Sequence, residues 1–152
     1  MATPIVLNTA SFTQPGTKTT ANAIASGSPT YAVFADAMTI DNSTNRALMV
    51  EFEVDLTFGA APVAGSVQLY KMDWDIAGAN QPPAPGTTLI PQFVGSLSPQ
   101  FTTGNTVLTF KLRSGPIALK PGKSDFYLAN NATGQSISSG AVITAQVYSP
   151  GT

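Results

Sequence analysis

The 152-residue chain has no cysteine and no histidine. Without cysteine there is no disulfide framework and no thiolate metal site. Without histidine it lacks the commonest general base and the commonest zinc ligand. Charge is also scarce: charged residues make up 10%, against about 25% in soluble proteins. The seven Lys and Arg are scattered through a chain of net charge −1. No basic stripe exists to neutralise phosphates, which argues against a nucleic-acid partner. No apolar run approaches the roughly 18 residues of a membrane span, so no membrane partner is expected. The N-terminus has no basic segment followed by an apolar one, so no signal peptide is expected. A surface so poor in charge suits packing against other protein, because little charge has to be desolvated.

What the chain does have is alternation. From Val50 to Phe58 apolar and polar residues alternate without a break. Side chains of a strand point to opposite faces in turn, so Val50, Phe52, Val54, Leu56 and Phe58 share one face. Glu51, Glu53, Asp55 and Thr57 share the other. The pattern predicts a half-buried strand with a row of carboxylates on its outer side.

Seven further segments read as strands: 31–40, 66–74, 89–97, 106–113, 117–119, 124–130 and 141–148. With 48–58 they make about eight antiparallel strands. Gly, Pro and Asn clusters separate them, and no segment holds a 3.6-residue apolar period for the length of a helix. Short strands at this spacing predict an all-β sandwich or barrel over residues 30–152. Residues 1–29, rich in Thr, Ala, Ser and Asn, read as an extended N-terminal arm with little to bury. The loop 77–88 holds Pro82, Pro83 and Pro85. Proline fixes φ and denies a ladder donor, so the loop is expected to be stiff and to protrude from one end. Leu119-Lys120-Pro121-Gly122-Lys123 reads as a type II turn, with Pro at i+1 and Gly at i+2.

Four groups of residues are candidates for chemistry. Glu51, Glu53 and Asp55 step about 7 Å apart along one strand. Paired acids at such spacing serve glycoside hydrolysis, but from opposite sides of a cleft; alternation alone accounts for this row as a solvated face. Asp73-Trp74-Asp75 with Gly78 and Asn80 resembles the start of a calcium loop. Counted from Asp73, however, Ala77 and Ala84 stand at two ligand positions. Tyr31, Tyr70 and Trp74 suggest a sugar-stacking platform, for which core or interface packing is the simpler account. Asn42-Ser43-Thr44 and Asn131-Ala132-Thr133 match the glycosylation sequon, but with no signal peptide expected they read as turn residues. Lys71, Lys111, Lys120 and Lys123 fall on polar faces or in a turn, so no serine–lysine pair is expected. The chain is expected to be non-enzymatic, with no catalytic, cofactor or metal residues.

The order of several segments carries a resemblance. Ile40-Asp41-Asn42-Ser43-Thr44-Asn45 leads into the strand 48–58. Gly59-Ala60-Ala61-Pro62-Val63-Ala64-Gly65 leads into the next. Then come Phe93-Val94-Gly95-Ser96-Leu97 and Pro116-Ile117-Ala118-Leu119-Lys120-Pro121-Gly122-Lys123 before the last strands. From about Tyr31 to Tyr148 the chain resembles a group of small jelly-roll virion proteins of tailed bacteriophages, which decorate or cement the capsid. Lys71-Met72-Asp73-Trp74-Asp75 and the Pro-rich loop depart from it, since look-alikes often have a Gly- and Asn-rich loop there. The resemblance implies a jelly-roll β-sandwich and a structural role on the head surface. It implies two partners: the major capsid protein, and the chain itself as a homodimer or homotrimer. The implied location is the virion, after synthesis in the host cytoplasm. A receptor- or carbohydrate-binding module of a head or tail fibre is the alternative.

Overall fold

The structure, a computed structural model, describes residues 7–8, 16–27, 33–35, 37–44, 47–86, 88–89 and 91–150. Among these residues there is no helix. Strands β1 (Leu7–Asn8), β2 (Gly16–Thr19), β5 (Met49–Thr57), β8 (Thr109–Arg113), β9 (Ile117–Ala118) and β11 (Val142–Pro150) form one sheet. Strands β3 (Val33–Phe34), β4 (Met38–Asp41), β6 (Ser66–Asp73), β7 (Gln92–Ser96) and β10 (Lys123–Asn131) form the other. Every pairing is antiparallel.

Four of these pairings are nested along the chain: β2 with β11, β4 with β10, β5 with β8, and β6 with β7. The chain therefore behaves as one long two-stranded ribbon whose central bend is the Pro-rich segment between β6 and β7. Folding the ribbon brings β11 beside β5 and β10 beside β6, which knits it into two sheets.

The sandwich core follows from the alternation on β5. Val50, Phe52, Val54, Leu56 and Phe58 are at most 3% exposed. Burying each such side chain stabilises by about 1.5–3 kcal/mol. Leu112, Ile143, Ala145 and Val147 extend this wall. Met38, Ile40, Val67, Leu69, Phe126 and Leu128 contribute to the same core from the second sheet. Phe52 and Phe126 meet between the sheets with ring centroids 4.7 Å apart.

The segment 31–40 is two short strands, β3 and β4, not one. The stretch expected to be an arm contributes to the fold where it is described. Gly16–Thr19 pairs with Val142–Ala145 of β11. Its small polar residues suit an exposed edge, where Thr17 Oγ1 lies 3.4 Å from Thr144 Oγ1. Ile24 is 3% exposed and exchanges backbone hydrogen bonds of 2.9 and 3.0 Å with Ile137. Fully buried Asn130 fixes that crossing by donating to the carbonyls of Ile24 and Gln135. At the turn after β9, Gly122 has φ 104°, as position i+2 of a type II turn requires.

Candidate functional site

The carboxylate row lies on the outer face of the first sheet, as the alternation predicts, but among the described residues no acid faces it. Across the ladder stand Arg113 opposite Glu53 and Lys111 opposite Asp55. Lys111 Nζ lies 3.2 Å from Glu53 and 3.6 Å from Asp55; Arg113 lies 3.4 Å from Glu51 and 3.9 Å from Glu53. Hydrogen bonding to Glu53 and the charge of Asp55 raise the Lys111 pKa. The arrangement is an exposed ladder of cross-strand ion pairs, with a cation rather than a second carboxyl beside each acid.

The Asp73–Asp75 segment sits at one end of the sandwich. Asp73 closes β6 and accepts a 2.7 Å hydrogen bond from Ser124 Oγ. Lys71 Nζ, on a residue 7% exposed, lies 3.1 Å from it, and Lys120 Nζ lies 3.7 Å away. Burial raises the Asp73 pKa, but Ser124 and the two lysines outweigh it and leave the carboxyl below its ordinary value. Trp74, Ile76 and Lys123 join Asp73, Lys120 and Ser124 around a cavity of about 410 Å3. Lys123 Nζ stands 4.9 Å from the Trp74 ring centroid, within the range of a cation–π contact.

The calcium-loop pattern folds differently. The Asp75 carboxylate accepts hydrogen bonds from the backbone N–H groups of Ala79 (2.9 Å) and Asn80 (3.2 Å), and from the Asn80 side chain. Its pKa is lowered mainly by Asn80. Donors occupy the oxygens that a cation would need. Among the described residues no group of three acids is placed to hold a metal ion.

The sugar platform also divides. β6 ends at Asp73, so its alternation does not extend to Trp74. Tyr70 lies on the outer face of the second sheet, while Trp74 lies at the sandwich end under Lys123. Tyr31 is outside the described residues. At the two sequons, Asn42 is 3% exposed and spans its turn by hydrogen bonds to Ala47 and Lys120. Thr133 is fully buried against Asn130.

The second sheet presents an aromatic outer face. Phe34 on β3, Tyr70 on β6, Tyr127 on β10 and Phe93 on β7 meet edge to face. Centroid distances are 5.2 Å for Phe34–Tyr70, 6.0 Å for Phe34–Tyr127 and 5.5 Å for Tyr70–Phe93. Such contacts are each worth about 0.5–1.5 kcal/mol beyond area burial. Burial raises the pKa of both tyrosines. Exposure grades across the row, from 4% at Tyr127 to 52% at Phe93.

The Pro-rich loop explains the gradient. It does not protrude from the sandwich end as expected; it folds back over the β3–β10 side of this face. Gln81 Nε2 donates to Asp125 Oδ2 at 2.9 Å, and Thr39 Oγ1 donates to Asp125 Oδ1 at 2.7 Å. Asp125 points outward from β10 but is 0% exposed, and a buried carboxylate needs such donors. Pro82, Ala84 and Pro85 face Phe34, Ala37 and Tyr127 across a groove of about 340 Å3. Phe93 stays outside this cover.

Compared with protein-family models, curated proteins and solved structures, the chain matches none. Sequence reasoning picked out Tyr70 of the aromatic face and missed Phe34, Phe93 and Tyr127. A signal was present in Phe126-Tyr127-Leu128-Ala129, an unbroken apolar run. In a strand, such a run means that both faces are covered.

Proposed function

We propose that this is a non-enzymatic bacteriophage virion protein that decorates or cements the outer surface of the head. The observation that carries this reading is the graded aromatic face. Phe93 stands half exposed at its open end, on a surface with little charge to desolvate. Interfaces concentrate aromatics and exclude charge in the same way. The two antiparallel sheets, with β11 and β5 inside one and β10 and β6 inside the other, also support it, because a jelly roll is a double-sheet β-sandwich of this kind. In this role the protein bridges neighbouring major capsid subunits as a small symmetric oligomer. Each contact needs only a few kcal/mol, since many copies act together.

The test is co-sedimentation of the purified protein with expanded heads of the phage whose capsid genes flank its own gene. Saturable binding, weakened by Phe93→Ala, is expected. No binding at any concentration, or a gene lying among tail-fibre genes, would reject it.

A second reading rests on the Trp74 cavity: a receptor- or carbohydrate-binding module. Its aromatic ring, two lysines and Asp73 are the kind of groups that hold a sugar. Trp74-dependent binding on a glycan array would favour it over decoration.

A further inference from the structure

We infer that β7 is an open edge that pairs antiparallel with β7 of a second copy, joining two second sheets across a two-fold axis. β7 ends its sheet: it pairs with β6 on one side, and among the described residues no strand pairs with the other. Free strand edges invite pairing, and proteins blunt them with charge, proline, bulges or short strands; β7 is short and bulged, which limits the pairing but does not block it. Gln92-Phe93-Val94-Gly95-Ser96 has neither charge nor proline.

The neighbouring edge makes the contrast. β8, which ends the first sheet, carries Lys111 and Arg113 on its outer face, paired with the acid row. An opening of about 160 Å3 between β7 and the β8–β9 connection is lined by Leu69, Val94, Leu97 and Ile117. One edge carries charge and the other carries none, with Phe93 at 52% exposure within β7 itself.

The occupant is a second copy because the edge suits itself. It is uncharged, so two copies meet without repulsion. In antiparallel pairing, residues directly opposite share a face. Centring the axis on Phe93 sets Phe93 against the partner copy's Phe93, a favourable cross-strand aromatic pair. The contacts Phe34–Tyr70–Phe93 then run on into the second chain as one row. The register shift between Leu69 and Tyr70 bends β7 and keeps the paired length short. Five residues fall short of the roughly 800 Å2 per partner of a standard interface, so the dimer is weak and concentration-dependent in solution. This names the surface for the self-association proposed above, and its role in the virion rests on that reading. The pairing itself is tested on the protein alone.

Sedimentation velocity of the full chain up to about 1 mM should give a coefficient that rises from monomer toward dimer. Phe93→Lys and Ser96→Lys, both at exposed positions, should hold it at the monomer value with unchanged near-ultraviolet dichroism. Because the chain has no cysteine, Phe93→Cys should form a disulfide dimer under mild oxidation, at least tenfold faster than Thr109→Cys on β8. A wild-type chain that stays monomeric throughout, a trimer, or equal crosslinking of the two cysteine variants would overturn the proposal. A dimer that crosslinks through Phe93→Cys upholds it even if the protein binds no phage head, an outcome that removes only the decoration reading.

Discussion

Gln81 reaches across 44 residues of chain to donate a 2.9 Å hydrogen bond to Asp125. That bond ties the Pro-rich loop to the outer face of the second sheet and supplies one of the two side-chain donors on a carboxylate with no solvent exposure. Replacing Gln81 with Leu keeps the bulk and removes the donor. Leaving a buried acceptor unsatisfied costs about 1–3 kcal/mol. Gln81→Leu should therefore lower Tm by several degrees and speed proteolysis within residues 77–88. Gln81→Glu should be worse still, since it sets two carboxylates together. A melting curve and a limited-digestion time course check both.

The Phe52–Phe126 contact carries a larger share of stability. It bridges the sheets at 4.7 Å, and both rings are at most 2% exposed. Phe52→Ala should cost about 3–5 kcal/mol through lost transfer energy and a residual cavity. Phe126→Ala should cost a similar amount. The double variant should cost less than the sum by about 0.5–3 kcal/mol, because the two residues share one contact. Urea denaturation of the four proteins measures the coupling.

This core was the legible part of the molecule. The expected strand 48–58 is Met49–Thr57, and its burial alternates residue by residue. Alternation reveals a strand when one face is wet and the other dry. It conveys less where both faces are covered. β10 is buried from Ser124 to Asn130, and its outer residues Asp125, Tyr127 and Ala129 do not declare what covers them. The covering loop comes from elsewhere in the chain, and the Gln81–Asp125 bond marks where it lies. Gly16–Thr19 escaped notice for the opposite reason: a short edge strand with small polar side chains has no apolar face to advertise. The acid row was legible as a surface, but its cations on β8 depend on strand register, which local pattern does not determine.

Asp73 makes stability depend on pH at the acid end. Its folded pKa lies below its ordinary value because Ser124, Lys71 and Lys120 outweigh burial. A group depressed on folding stabilises fully above its unfolded pKa and loses that contribution as pH falls through the folded one. Asp73→Asn should therefore melt below the wild type by a constant margin from pH 8 to pH 5. The margin should shrink below about pH 4, as the wild-type carboxyl protonates. A margin that widened toward low pH would contradict the assignment. Thermal melts of both proteins across this range decide it.

Gly65 tests the hairpin side of the fold. It has φ 61°, and a Cβ built there would come within 2.1 Å of the Asn131 carbonyl oxygen and 2.4 Å of the Ala132 carbonyl carbon. The obstacle is backbone where β10 ends and its connection to β11 begins, so no side-chain rotation relieves it. Gly65 also accepts a 2.8 Å hydrogen bond from the Phe101 N–H, which places the start of β6 and the ring of Phe101 against Phe58 and Phe110. A left-handed backbone costs a non-glycine residue about 1–3 kcal/mol, and the clash adds to that. Gly65→Ala should yield a protein far less stable than the wild type, or none that folds. Gly86→Ala, where nothing lies within 4 Å of the added carbon, should leave Tm within about a degree, in line with the small effect of most surface substitutions. Parallel melts of the two variants separate a tight backbone approach from a general intolerance of alanine.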